Sequence, residues 1–145
     1  MSYLVDTNVL SELRRREPEP RVVRWLEARP ATTLYLSVLT LGELRKGIEG
    51  LAAGARRHRL LDWLESELPS FFAGRVLPID HRVADRWGRL LAQAGRPMPV
   101  VDSLLAATAL THDMIMVTRN LQDFGFAGLE VVDPWTHEGG VHTSG

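Results

Sequence analysis

The chain has 145 residues, 45% hydrophobic and 24% charged, a balance that supports one folded domain with its own core and excludes a disordered chain. It has no cysteine, so disulfide frameworks, thiolate metal sites and cysteine nucleophiles are excluded. Its 17 basic residues, all arginine except Lys46, stand against 18 acidic ones; a net charge of −1 gives no general attraction for nucleic acid, so any such partner must be held by a local site.

Tyr3-Leu4-Val5 is a short apolar run that stops at Asp6-Thr7-Asn8, and Val9, Leu10 and Leu13 then follow a helical spacing, so a buried strand feeds directly into a helix. Glu17-Pro18-Glu19-Pro20 breaks the chain, and Val22, Val23, Trp25 and Leu26 predict a second helix ending before Pro30. Leu34 to Ser37 reads as the second strand, followed by a helix with Leu41, Leu44, Ile48 and Leu51 on one face. Beyond Gly50 and Gly54 a further amphipathic stretch runs from about Arg56 to Leu68. Arg75 to Ile79 is the third predicted strand, and Asp80 is placed to cap a helix carrying Val83, Trp87, Leu90 and Leu91. A long apolar helix is expected from about Asp102 to Thr111, then strands at Ile115 to Val117 and Leu129 to Val132. Residues 1–135 form the expected domain, and Thr136 to Gly145 reads as a flexible tail.

Short apolar strands alternating with helices pair in parallel, because parallel strands need crossovers and lie buried between helical layers. The expected fold is α/β, a three-layer sandwich around a parallel sheet of four to five strands. No apolar run approaches the ~20 residues that span a bilayer, and the start of the chain lacks the pattern of a secretory signal, so a cytoplasmic location and no membrane partner are expected. In open parallel sheets ligands sit beyond the carboxyl ends of the strands, where strand order reverses. The residues at those ends therefore decide the function.

Four acidic residues are the candidates. Asp6 follows the first strand, Glu43 lies about one and a half turns into the helix after the second, Asp102 opens the long apolar helix, and Asp123 follows the fourth strand. Each has an ordinary structural use: helix capping for Asp6 and Asp102, pairing with Lys46 for Glu43, a turn for Asp123. The fold brings three of them to one sheet edge, however, and two carboxylates 4 Å apart repel by about 4 kcal/mol at an effective dielectric of 20. Such a cluster stays ionised only beside a cation. Oxygen ligands without cysteine or histidine suit Mg²⁺, with Mn²⁺ as a substitute, rather than zinc.

These segments carry a resemblance. Leu4-Val5-Asp6-Thr7-Asn8-Val9-Leu10-Ser11-Glu12, the run Leu36 to Gly47 around Glu43, Asp102-Ser103-Leu104-Leu105-Ala106-Ala107-Thr108-Ala109 and Val117 to Phe124 resemble, in order, the four motifs of the PIN-domain ribonucleases. The form they resemble most is the VapC toxin of bacterial type II toxin–antitoxin systems, in its FitB-like branch. The resemblance implies Mg²⁺-dependent hydrolysis of RNA, with Asp6, Glu43 and Asp102 as the acidic core and Asp123 as the fourth carboxylate. Thr7, Thr118 and Asn120 are candidates for the outer shell of the site. It also implies an antitoxin protein that reaches the acidic site, and a homodimer or larger toxin–antitoxin assembly. For that partner the stripes from Leu41 to Leu51 and from Leu60 to Leu68 are candidates, with core packing as their other use.

Two groups of arginines, Arg14, Arg15 and Arg16 with Arg21 and Arg24, and Arg56, Arg57 and Arg59, offer local contacts for phosphate or for an acidic protein. Two other readings stay open at this stage. One is a PIN-like module that binds RNA or protein without cutting. The other is a haloacid-dehalogenase-type phosphatase acting through Asp6, although position 8 holds Asn where that chemistry wants a second aspartate and Lys46 is the chain's single lysine.

Overall fold

A computed structural model describes residues 1–136 and the backbone of His142–Thr143. Five short strands run parallel: β1 (Tyr3–Val5), β2 (Leu34–Ser37), β3 (Val76–Leu77), β4 (Ile115–Val117) and β5 (Glu130–Val132). A sixth, β6 (His142–Thr143), lies antiparallel to β5 and was not anticipated. The order across the sheet is β3-β2-β1-β4-β5-β6, so the chain builds outward from β1 to one side, then crosses back to place β4 on the other. The reversal of strand order falls between β1 and β4. Of the segment assigned to a tail, residues 137–141 and 144–145 lie outside the described residues.

The period-2 alternation of the strands supplies both cores. Val5, Leu34, Leu36, Ile115, Val117 and Val132 face one side; Leu4, Met116 and Val131 face the other. The first side is covered by α1 (Thr7–Leu13), α2 (Pro20–Glu27), α3 (Val38–Glu49), α4 (Ala55–Asp62) and α5 (Leu68–Phe71), which contribute Leu10, Trp25, Leu44, Ile48 and Leu68. The second is covered by α6 (His81–Ala94) and α7 (Val100–Thr111), with Val83, Leu90, Leu105 and a run of alanines. A three-layer α/β sandwich results. Asp80 caps α6 by accepting from the Val83 amide at 3.0 Å, and Gly95 ends it in the left-handed conformation. No helix among the described residues is long and apolar enough to cross a membrane.

Three elements differ from the sequence expectation. β3 stops at Leu77 rather than Ile79, because Pro78 brings no amide to the ladder. The stretch after Gly54 does not end at Leu68. It continues through a widened turn at Trp63–Glu67 into α5, and the Leu68 amide donates to the Trp63 carbonyl, five residues back. The widened turn lies just before Pro69, which has no amide to offer Glu65 and whose ring would crowd that carbonyl in a regular α-helix. Finally, α7 begins at Val100, with Pro99 at its cap position, so Asp102 stands inside the first turn and does not open the helix. The two stripes considered for a partner go largely into the core: Leu44, Ile48, Trp63, Leu64 and Leu68 are all buried.

Leu4 is fully buried on the central strand, against the α6–α7 layer. Leu4→Ala is expected to cost about 2–5 kcal/mol, read as a lower urea midpoint with an unchanged denaturant slope.

Candidate active site

The carboxyl ends of β1, β4 and β5 are tied level with one another. The Asp6 amide donates to the Val117 carbonyl at 2.9 Å, and the Thr118 amide to the Val132 carbonyl at 3.0 Å. Asp6 is extended and serves as the cap of α1, its Oδ1 accepting from the Thr7 amide at 2.8 Å. Its Oδ2 accepts from the Thr118 hydroxyl at 2.8 Å and from the Asn8 amide nitrogen at 3.4 Å. The residue is 6% exposed. Capping and site placement are therefore not rival uses of Asp6; the same carboxylate does both.

Thr118 uses its full capacity of one donor and two acceptor positions. It donates to Asp6 and accepts from Asn8 Nδ2 at 3.2 Å and from the Asn120 amide at 3.1 Å. Asn8 closes the frame by accepting from the Arg119 amide at 3.4 Å. Glu43, half-buried on α3, joins through Thr7, whose hydroxyl donates to Glu43 Oε1 at 2.6 Å. No ion pair joins Glu43 to Lys46 among the described residues, so the ordinary helix-surface pairing is not its use.

Asp102 is half-buried and Asp123 exposed, on a short 3₁₀ turn at Leu121–Phe124. Asn120 precedes that turn, exposed, with its side chain making no capping bond. Hydrogen bonds thus join Asp6, Thr7, Glu43, Thr118 and the Asn120 backbone into one network. Asp102 and Asp123 meet it through charge. Burial first, then Asp123 and Glu43, push the Asp102 carboxyl above its ordinary value.

Asn8 joins this network although it was not among the candidate site residues. Its signal was available in its place two residues after a strand-terminal aspartate, but its partners Thr118 and Arg119 lie 110 and 111 residues away. Two other buried acids are structural. Glu12 accepts from the Glu19 amide at 2.9 Å and from Arg15 at 3.2 Å, tying the α1–α2 loop, and Asp133 accepts from the Trp135 amide at 2.8 Å.

Asp6 shows the strain of the arrangement. Burial pushes its carboxyl from 3.8 up to about 6; hydrogen bonds from Thr118 and Thr7 pull it down, while Glu43 and Asp102 add to the rise. Each of these acids disfavours the charge of another. Among the described residues no three acidic or histidine side chains form a closed cage for one ion. Mg²⁺ needs none, because it keeps several waters and is usually held by one or two carboxylates together with substrate phosphates. The donor set is oxygen only and carries excess negative charge. It fits a hard divalent cation.

The PIN domain family pattern matches residues 3–125. The chain is 41% identical over 135 residues to a VapC ribonuclease of Sinorhizobium fredii, covering 91% of this chain and 96% of that one. It is 38% identical over 135 residues to the toxin FitB of Neisseria gonorrhoeae, covering 91% and 97%. Among solved structures it is similar to a chain of FitAB bound to a DNA fragment, with a TM-score of 0.86 and 36% identity over 94% of this chain and 97% of that one.

The raised Asp6 value fixes the sign of a pH effect. Between 3.8 and about 6 the folded state holds a proton that the unfolded state has lost. Without divalent ions, this contribution to stability is complete below about pH 4 and is lost as pH rises through 6, by up to roughly 3 kcal/mol. Chemical denaturation in a chelator from pH 4.5 to 8 should show Asp6→Asn gaining stability relative to the parent as pH rises. Added Mg²⁺ should narrow that difference at pH 7.5.

Proposed function

The chain belongs to the PIN domain family, and we propose that it is a Mg²⁺-dependent endoribonuclease acting as the toxin of a toxin–antitoxin pair, with residues 1–135 as its nuclease domain and the cytoplasm as its place of action. The observation that carries this reading is the overcharged carboxylate group at the strand reversal. An aspartate whose carboxyl is pushed up to about 6 by burial, with two neighbouring acids adding to the rise, is poorly suited to stability alone. It is well suited to hold a cation beside a phosphodiester.

In this reading Asp6 and Asp102 hold the ion most directly, and Asp123 adds the fourth carboxylate from the exposed side. When bound, Mg²⁺, or Mn²⁺ in its place, supplies Lewis acidity toward a phosphate oxygen and lowers the pKa of coordinated water. Glu43 orients the attacking water and accepts its proton; Thr7, fixed at 2.6 Å, holds that carboxylate in one orientation. Thr118 and Asn8 hold Asp6, so the carboxylate that meets the ion is set before the ion arrives. Asn120 lies in the outer shell, with an amide oxygen available to water.

The antitoxin is the second part of the proposal. Its support is the likeness to the toxin FitB and to a FitAB assembly. A segment of that partner closes over the acidic edge and offsets its charge, and toxin copies pair within the larger assembly.

Asp6→Asn and Asp102→Asn test the active site. Each is expected to lower the rate of Mg²⁺-dependent RNA cleavage at least 100-fold while leaving the protein folded, as oxygen-donor loss at a metal site requires. Near-parental rates in both variants would remove the assignment. Expression of the parent chain in a bacterial host should arrest growth, and Asp6→Asn should relieve it.

A further inference from the structure

The two arginine groups, 40 residues apart in sequence, meet in space. Arg14 and Arg16, at the end of α1 and just beyond it, line a cleft of about 460 Å³ together with Arg56 and Arg59 of α4 and with Leu60. Arg56 and Arg59 are three apart and share a helix face. All four are exposed, and among the described residues none of the four makes an ion pair. Their sequence neighbours differ. Arg15 pairs with Glu12 at 3.2 Å, and Arg57 pairs with Glu49 at 2.5 Å. Within the runs 14–16 and 56–59, the arginines left without an ion pair are the ones that line the cleft.

The cleft adjoins the acidic edge. A smaller cavity of about 150 Å³ is lined by Arg14 and Arg56 together with Glu43, Ser11 and Trp63. Arg14 stacks on Trp63, its guanidinium 5.2 Å from the ring centroid, which orients a long side chain that would otherwise be free. A second arginine-bearing cleft, of about 300 Å³, differs on both counts. It includes Asp85, paired with Arg89 at 3.1 Å, and it is closed by Leu110 and Thr111, at the opposite end of α7 from Asp102.

We propose that the Arg14–Arg16–Arg56–Arg59 cleft is a phosphate-binding subsite that holds the RNA backbone beside the scissile phosphodiester. This rests on the ribonuclease reading and extends it by naming how a chain of net charge −1 retains a polyanion. Four unpaired guanidiniums give planar forks matched to phosphate oxygens, and the neighbouring cavity links them to Glu43. The chemistry recognised is a run of successive phosphates, not a base sequence.

The test uses the full chain and a fluorescein-labelled single-stranded RNA, with binding measured by anisotropy in a chelator so that no cleavage intervenes. The triple variant Arg16→Gln, Arg56→Gln, Arg59→Gln removes three exposed cations with little change in helix propensity. Its affinity should fall roughly tenfold or more near 0.1 M salt, and the slope of log affinity against log salt should fall by about 2. Arg82→Gln, Arg86→Gln, Arg89→Gln, with the same charge removed at the far cleft, should stay within about twofold of the parent. In Mg²⁺ the first triple should raise KM for RNA with kcat within about threefold, as loss of uniform binding requires. Parental RNA affinity in the first triple, or equal losses in both triples, overturns the subsite; the first result would instead direct the cleft to an acidic protein. If the first triple alone loses RNA binding while the parent cleaves no RNA, the subsite stands and the nuclease reading falls.

Discussion

The buried carboxylate of Asp6 is the constraint on which the rest depends. It sits at the end of the central strand, where a charge is costly, and it is surrounded by acids that raise the cost. The surrounding structure offsets part of this through the Thr118 hydroxyl and the Thr7 amide. Those two donors reach Asp6 only because β1 and β4 are adjacent and parallel and because α1 starts directly at Asp6. The strand order, the abrupt strand-to-helix junction and the position of β4 thus together hold this carboxylate in one orientation.

The same geometry separates the tasks of the polar residues. Thr7 gives its amide to Asp6 and its hydroxyl to Glu43, so one residue fixes two acids from different elements. Thr118 ties Asp6 to the loop that carries Asn120 and leads to Asp123. Asp102 comes from the opposite layer, on the first turn of α7, where the helix N-terminus favours a negative charge. The four acids therefore come from a strand end, two helices and a 3₁₀ turn at the strand reversal, without any two sharing an element.

Much of this was legible in the sequence, and for a definite reason. β1 and β4 are short, apolar and followed at once by a polar residue, and β2 ends on one, so all three could be bounded to the residue and Asp6 and Asp80 read as caps. What sequence periodicity does not carry is contact between distant segments. The Thr7 hydroxyl reads as local turn chemistry until Glu43, 36 residues on, is seen beside it, and Asn8 reads as a loop residue until Thr118 is in place. The offset of Asp102 and the widened turn at Trp63–Glu67 both involve proline, whose effect on a boundary is clear in kind but spread over several residues. Glu12 was hidden for the opposite reason: a glutamate near the end of an amphipathic helix looks solvated, and only the returning loop buries it.

Opposite charges set side by side tend to neutralise each other, and several arginines near this site are engaged by partners other than Glu43. Glu12 holds Arg15, Glu49 and Glu65 hold Arg45 while Glu49 also holds Arg57, and Trp63 supports Arg14 through its ring face rather than through a charge. A cation–π contact orients a guanidinium without neutralising it, whereas a carboxylate at the same place would do both. Arginine suits this place better than lysine. An ammonium is a compact, strongly hydrated point charge, while the guanidinium stacks on Trp63 with one surface and keeps its donors for phosphate. The net charge of −1 conceals two local fields of opposite sign, and it is their separation that lets an acidic centre and a polyanion occupy neighbouring space.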